Sequence, residues 1–107
     1  MELTLKTDRG KAIASIKGLL DTITTPHFKK VLLELIDNGE RNIILDFSEL
    51  DFITTDGLSG ILVLIKRMEV VKGRLSIAAV KGQVKKVFDI TGFNSCIPVF
   101  STCLLYT

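Results

Sequence analysis

Between Asp46 and Ser59 the chain concentrates side chains that could do chemistry: hydroxyls at Ser48, Thr54, Thr55 and Ser59, carboxylates at Asp46, Glu49, Asp51 and Asp56. Four carboxylates so close together suggest general acid–base work or a divalent cation. They lack the Asp-x-Asp-x-Asp-Gly order of a calcium loop, and Asp51 and Asp56 fit instead as residues that hydrogen-bond a turn's own backbone. Neither metal nor cofactor is expected. The only histidine, His27, follows Pro26 and has no Ser or Cys at motif spacing to activate, so it reads as a surface or capping residue. Catalysis is unsupported, and the chain reads as a non-enzyme. The hydroxyls remain. Thr54 or Thr55 is placed to cap a helix, and a hydroxyl there sits beside unpaired backbone N–H groups and the positive end of the helix dipole.

Those residues occupy a junction. Ile43, Ile44, Leu45 and Phe47 form a nearly continuous apolar run, which suits a strand covered by helices on both faces. After it the chain turns through an acidic loop into an apolar helix. Upstream, the alternating runs 3–6 and 12–16, joined through Asp8-Arg9-Gly10-Lys11, predict a hairpin. Thr24 or Thr25 before Pro26 marks a helix start, and Phe28, Val31, Leu32, Leu35 and Ile36 recur at helical spacing until Asn38-Gly39. Further elements follow as a strand over 41–47, helix 56–72, strand 75–80, helix 82–91 and last strand 97–100. Alternating strands and helices predict an α/β fold, a mixed sheet with an N-terminal hairpin and helices packed against it.

The helix over 56–72 has two apolar faces. Leu58, Ile61, Ile65 and Met68, flanked by Leu64, form the core stripe. Thr55, Ser59, Leu62, Val63, Lys66 and Val70 lie on another face. A helix buried on one side has no structural need for Val63 and Val70 on the other, so this stripe is a candidate protein-binding surface that begins at Thr55.

Composition excludes several classes. With 107 residues and 47% hydrophobic content the chain reads as one domain, 1–107, large enough to bury about two-thirds of its unfolded surface. A formal charge of +2 with neither an aromatic platform nor a Gly-rich phosphate loop gives no footprint for nucleic acid. No run approaches the roughly 20 apolar residues of a membrane span, and the start lacks a signal peptide's pattern, so a cytoplasmic location without membrane insertion is expected. Cys96 and Cys103 are expected to be reduced and packed. Charge is uneven: seven acidic residues lie between Glu34 and Asp56 against Arg41 alone, and seven basic ones between Lys66 and Lys86 against Glu69 alone. Such a division would allow a bipolar surface that orients a protein partner.

Asp46-Phe47-Ser48, Leu50, Phe52-Ile53, then Thr54-Thr55-Asp56-Gly57-Leu58 resemble the sulphate transporter and anti-sigma factor antagonist (STAS) domain. Gly18-Leu19-Leu20-Asp21, Arg74-Leu75-Ser76-Ile77-Ala78, Val84 to Phe88, Thr91-Gly92-Phe93 and Pro98-Val99-Phe100 extend the likeness over nearly the whole chain. The family's signature turn reads Asp-Ser-Ser/Thr-Gly, and its middle Ser is the phosphorylation site of the antagonists. Thr55 takes that place, Thr54 stands where the family has Asp, and Asp56 stands where it has a hydroxyl. The tail 101–107 is shorter and less charged than the family's C-terminal helix.

The resemblance implies an anti-sigma factor antagonist that captures an anti-sigma serine kinase, is inactivated when that kinase phosphorylates Thr55, and is restored by a phosphatase. Ser59 is the reserve acceptor. Asp46, Thr54, Asp56 and Gly57 would shape the turn, and Ser59, Leu62, Val63 and Lys66 would touch the partner. A phosphate adds about −1.5 to −2 charges; a helix N-terminus tolerates it, but it opposes docking on the apolar stripe. The alternative is a STAS subunit of an ABC-type lipid transporter that binds the ATPase without phosphorylation.

Overall fold

A computed structural model describes residues 1–100, and the expectations for Cys103 and the tail 101–107 lie outside the described residues. The order is β1 (Glu2–Asp8), β2 (Lys11–Leu20), α1 (Thr25–Asp37), β3 (Asn42–Asp46), β4 (Leu50–Ile53), α2 (Thr55–Val70), β5 (Arg74–Ala78), α3 (Gly82–Thr91), a single 3-10 turn at Phe93–Ser95, and β6 (Val99–Phe100). The hairpin β1–β2 is antiparallel and closes on Arg9 and Gly10, both with positive φ, the geometry a two-residue primed turn requires. Every other pairing is parallel, in the order β1-β2-β3-β5-β6.

One strand was not foreseen. The acidic loop read between 47 and 54 contains β4, four residues that pair in parallel with the end of β2, Gly18 to Leu20. β2 therefore divides its length between two parallel partners: Ala12–Ser15 pair with β3, and Gly18–Leu20 pair with β4 across an irregularity at Gly18. Gly18 has φ +102 and donates its N–H to Glu49 O at 3.0 Å, a conformation costly for a residue with a side chain.

All three helices lie on one face of the sheet. Phe28, Leu32 and Ile36 of α1, Leu58, Ile61, Leu64 and Met68 of α2, and Val84 and Phe88 of α3 join Ala12, Ala14, Ile43, Leu45 and Ile77 in one cluster. The expectation of helices on both faces is thus corrected. Ile13, Ile44 and Ala78 point the other way and form a small second cluster to which no described helix contributes. Burying each core side chain of α2 is worth about 1.5–3 kcal/mol, enough to fix the helix by its inner stripe alone. Cys96, expected to be packed, is exposed.

Because the helices follow β2, β4 and β5, their N-termini gather at the carboxyl ends of parallel strands, where open α/β sheets place their sites.

Candidate functional site

Thr54 is the N-cap of α2. Its extended backbone lets the hydroxyl accept the Gly57 N–H at 3.5 Å and donate to Leu20 O at 3.3 Å, while its own N–H donates to Leu20 O at 3.0 Å. Thr54 is thus fully committed to the turn. Thr55, the first helical residue, is exposed, and its hydroxyl has no hydrogen-bond partner among the described residues. Asp56 is exposed and accepts from the Thr22 hydroxyl. Gly57 is buried against the end of β2, where a Cβ would stand 2.7 Å from Ile53 Cγ1 and 2.8 Å from Leu20 O. Only glycine allows that approach.

Two further clamps hold the turn. Gln83, in the first turn of α3, accepts the Ile53 N–H and donates to Ile53 O, both at 3.0 Å, pairing with the strand as a neighbouring strand would. On the other side Asp21 organises the loop after β2. Its carboxylate accepts the N–H groups of Ile23 and Thr24 at 3.0 Å and the Thr24 hydroxyl at 3.1 Å. The Thr24 N–H leads in holding the Asp21 carboxyl below the usual carboxylate range, against partial desolvation. Thr24 precedes α1, but its hydroxyl accepts the Asp21 N–H and bonds Leu19 O rather than capping the helix.

Along the outer face of α2, Ser59, Leu62, Val63, Lys66 and Val70 are all exposed, Val70 to 79%. Ser59 and Val63 share a cleft of about 180 Å³ with Thr22, Pro26, Lys29 and Asp56. The structure thus brings together eight of the nine sequence-derived site residues, Thr54 through Gly57 at the turn and Ser59, Leu62, Val63 and Lys66 along one face. Asp46 is the ninth. It shapes a different turn, on the far side of β4, accepting from Ser48 N at 3.0 Å and Ser15 Oγ at 3.2 Å. The carboxylates form no joint site either: Glu49 lies 3.8 Å from Lys17 and Asp51 lies 4.0 Å from Lys81. Nor do the charges divide into two poles, since Asp37–Arg67 and Asp51–Lys81 join the acidic block to the basic one.

Three apolar residues beside the turn escaped the sequence reading. Leu19 and Phe52 are register partners in β2 and β4, both near 44% exposed, and Ile23 in the adjoining loop is 85% exposed. Strand alternation puts Leu20 inward and Leu19 outward, a signal visible only once β4 is recognised. Leu19 and Phe52 thus face away from the helices, on the side of the sheet opposite α2, while Ile23 lies in the loop that Thr22 ties to the first turn of α2.

The STAS domain family matches residues 2–103. The chain belongs to the STAS domain family. This STAS domain is 34% identical over 99 residues to BtrV of Bordetella bronchiseptica, provisionally named an anti-sigma factor antagonist, covering 92% of this chain and 85% of BtrV. It is 25% identical to the anti-sigma-B factor antagonist of Staphylococcus aureus, covering 92% of this chain and 94% of that one. Its fold matches a Thermotoga maritima protein provisionally described as an anti-sigma factor antagonist, with TM-score 0.91, 20% identity and 97% and 90% of the two chains covered. It also matches the unphosphorylated anti-sigma factor antagonist SpoIIAA, with TM-score 0.73, 21% identity and 95% and 89% covered. The mixed sheet of this STAS domain, its N-terminal hairpin and its helices agree with the fold that the sequence implies. Among the described residues no helix of the domain is long and apolar enough to cross a membrane.

Proposed function

We propose that this STAS domain is an anti-sigma factor antagonist, a non-enzymatic cytoplasmic regulator of one domain that binds an anti-sigma serine kinase and is released by phosphorylation of Thr55. One observation carries the reading. Thr55 presents an exposed, uncommitted hydroxyl at the N-terminus of α2, and the exposed stripe Ser59, Leu62, Val63 and Lys66 runs away from it along the helix. The hydroxyls of Thr22, Thr24 and Thr54 around the turn are all engaged in hydrogen bonds, whereas that of Thr55 is not. The names of the relatives agree with this role.

The switch follows from charge and desolvation. A phosphate on Thr55 adds about −1.5 to −2 charges near backbone N–H groups that favour an anion, so the fold persists. A partner covering the apolar stripe of α2 must strip water from that phosphate, and Asp56 adds like-charge repulsion, so the complex dissociates. Ser59 stands one turn further along α2 as the reserve acceptor. A phosphatase restores the binding form.

The test is affinity capture from the native cell with wild type and Thr55→Glu as bait, followed by mass spectrometry of the partners and of Thr54, Thr55 and Ser59. Recovery of a serine kinase by wild type but not by Thr55→Glu, with phosphate on Thr55, is the expected result. Equal recovery by both baits would remove the switch, and recovery of a transporter ATPase with unmodified hydroxyls would make the domain a transporter subunit.

A further inference from the structure

β1 is the outer strand of the sheet. Its seven residues pair in unbroken register with β2, and no described strand borders its other side. Every residue of β1 except Leu3 is exposed, and Leu5 is 44% exposed on the helix-bearing face of the sheet. Edge strands that resist association are short, bulged, interrupted by proline or guarded by inward charge. β1 is seven residues long, unbulged and free of proline, and its remaining guard is the exposed charge of Glu2, Lys6 and Asp8, so its outward N–H and C=O groups form a template for a strand whose charges complement these.

The sequence of β1 selects which strand. We propose that β1 pairs antiparallel with β1 of a second copy of this chain, across a two-fold axis at Thr4. That axis sets Glu2 opposite Lys6 of the partner copy and Lys6 opposite Glu2, so two complementary pairs form on the face away from the helices. It also sets Leu3 opposite Leu5 twice on the helix side, covering the exposed Leu5. The neighbouring axes are worse. Centred on Leu5, the pairing opposes Glu2 to Asp8; centred on Lys6, it opposes Lys6 to itself; centred on Leu3, it leaves Lys6 unpaired. A two-fold axis perpendicular to the sheet keeps the helices of both copies on one side, so the result is a continuous sheet with a single helical layer.

The test uses sedimentation velocity over a concentration series on wild type, Glu2→Lys, Lys6→Glu and an equimolar mixture of the two variants, with circular dichroism to verify folding. Wild type is expected to dimerise. Each variant alone opposes like charges at both positions and should raise the dissociation constant about tenfold or more. The mixture should dimerise again, because one variant presents bases where the other presents acids. A wild type monomeric throughout, a dimer unchanged in either variant, or a mixture no stronger than its components would overturn the proposal. None of these readouts depends on Thr55 or on its partner, so the inference stands or falls apart from the switch.

Discussion

The Thr22 hydroxyl donates to the Asp56 carboxylate, tying the loop after β2 to the first turn of α2 across 34 positions of sequence. It fixes the neighbouring Ile23, 85% exposed, beside Thr55. Thr22→Val should therefore weaken partner binding more than folding. An exposed hydrogen bond contributes about 1 kcal/mol or less to stability, whereas a displaced apolar anchor should raise the partner's Kd about tenfold. Urea denaturation and a binding titration, run side by side, measure the two effects.

Gly57→Ala should destabilise the domain by about 1–3 kcal/mol, because the added methyl meets the Leu20 carbonyl and the Ile53 side chain at once. The Leu20 carbonyl also receives both the N–H and the hydroxyl of Thr54, so it has little freedom to retreat. The urea midpoint reports the loss, and a midpoint equal to wild type would show the turn to be softer than its contacts imply.

Gln83→Ala removes two hydrogen bonds from the backbone of Ile53, a residue that is 1% exposed. Leaving a buried N–H and C=O unpaired costs about 1–3 kcal/mol. Amide hydrogen exchange at Ile53 should accelerate in this variant well beyond the acceleration at Ile44, in the centre of the sheet. Equal acceleration at both would mean global rather than local loosening.

Asp21 links stability to pH. Its carboxyl, depressed in the folded state chiefly by the Thr24 N–H, contributes stability that is fully present above the unfolded value of about 3.9 and is lost as pH falls through the folded one. The difference in urea midpoint between wild type and Asp21→Asn should be largest at neutral pH and shrink below about pH 4. A constant difference across that window would remove Asp21 from the acid response.

Much of this arrangement is legible in the residues themselves. The inward stripe of α2, its exposed outer face and the Arg9-Gly10 hairpin follow from periods of 3.6 and 2 and from turn chemistry, all of which act over a few neighbours. What escaped depends on distant partners. β4 has four residues, one of them acidic, and is a strand only because Gly18 to Leu20 offer it an edge. The clamps from Gln83 and Thr22 cross about 30 positions of chain, and no local pattern announces them. Asp46 belongs to the turn before β4 rather than to the one at Thr55, and without β4 the two turns merge into a single acidic loop.

The divided pairing of β2 also sets an order of dependence. Its first part is held by the hairpin, whose closure spans only two residues, and β3 can add to it once α1 has formed. The described pairings of β1 stop at Lys17, so Gly18 to Leu20 wait for β4, and the turn at Thr54 waits in turn for Leu20 O. β2 meets β3 across 31 positions of chain, from Ala12 to Ile43, and β4 across 32, from Gly18 to Leu50, so the two closures carry nearly the same entropic cost and neither part of β2 is the cheaper to pair. The turn that presents Thr55 therefore has two supports at once, the hairpin that carries β2 and the four-residue strand that follows β3, and loosening either one reaches it through Leu20 O.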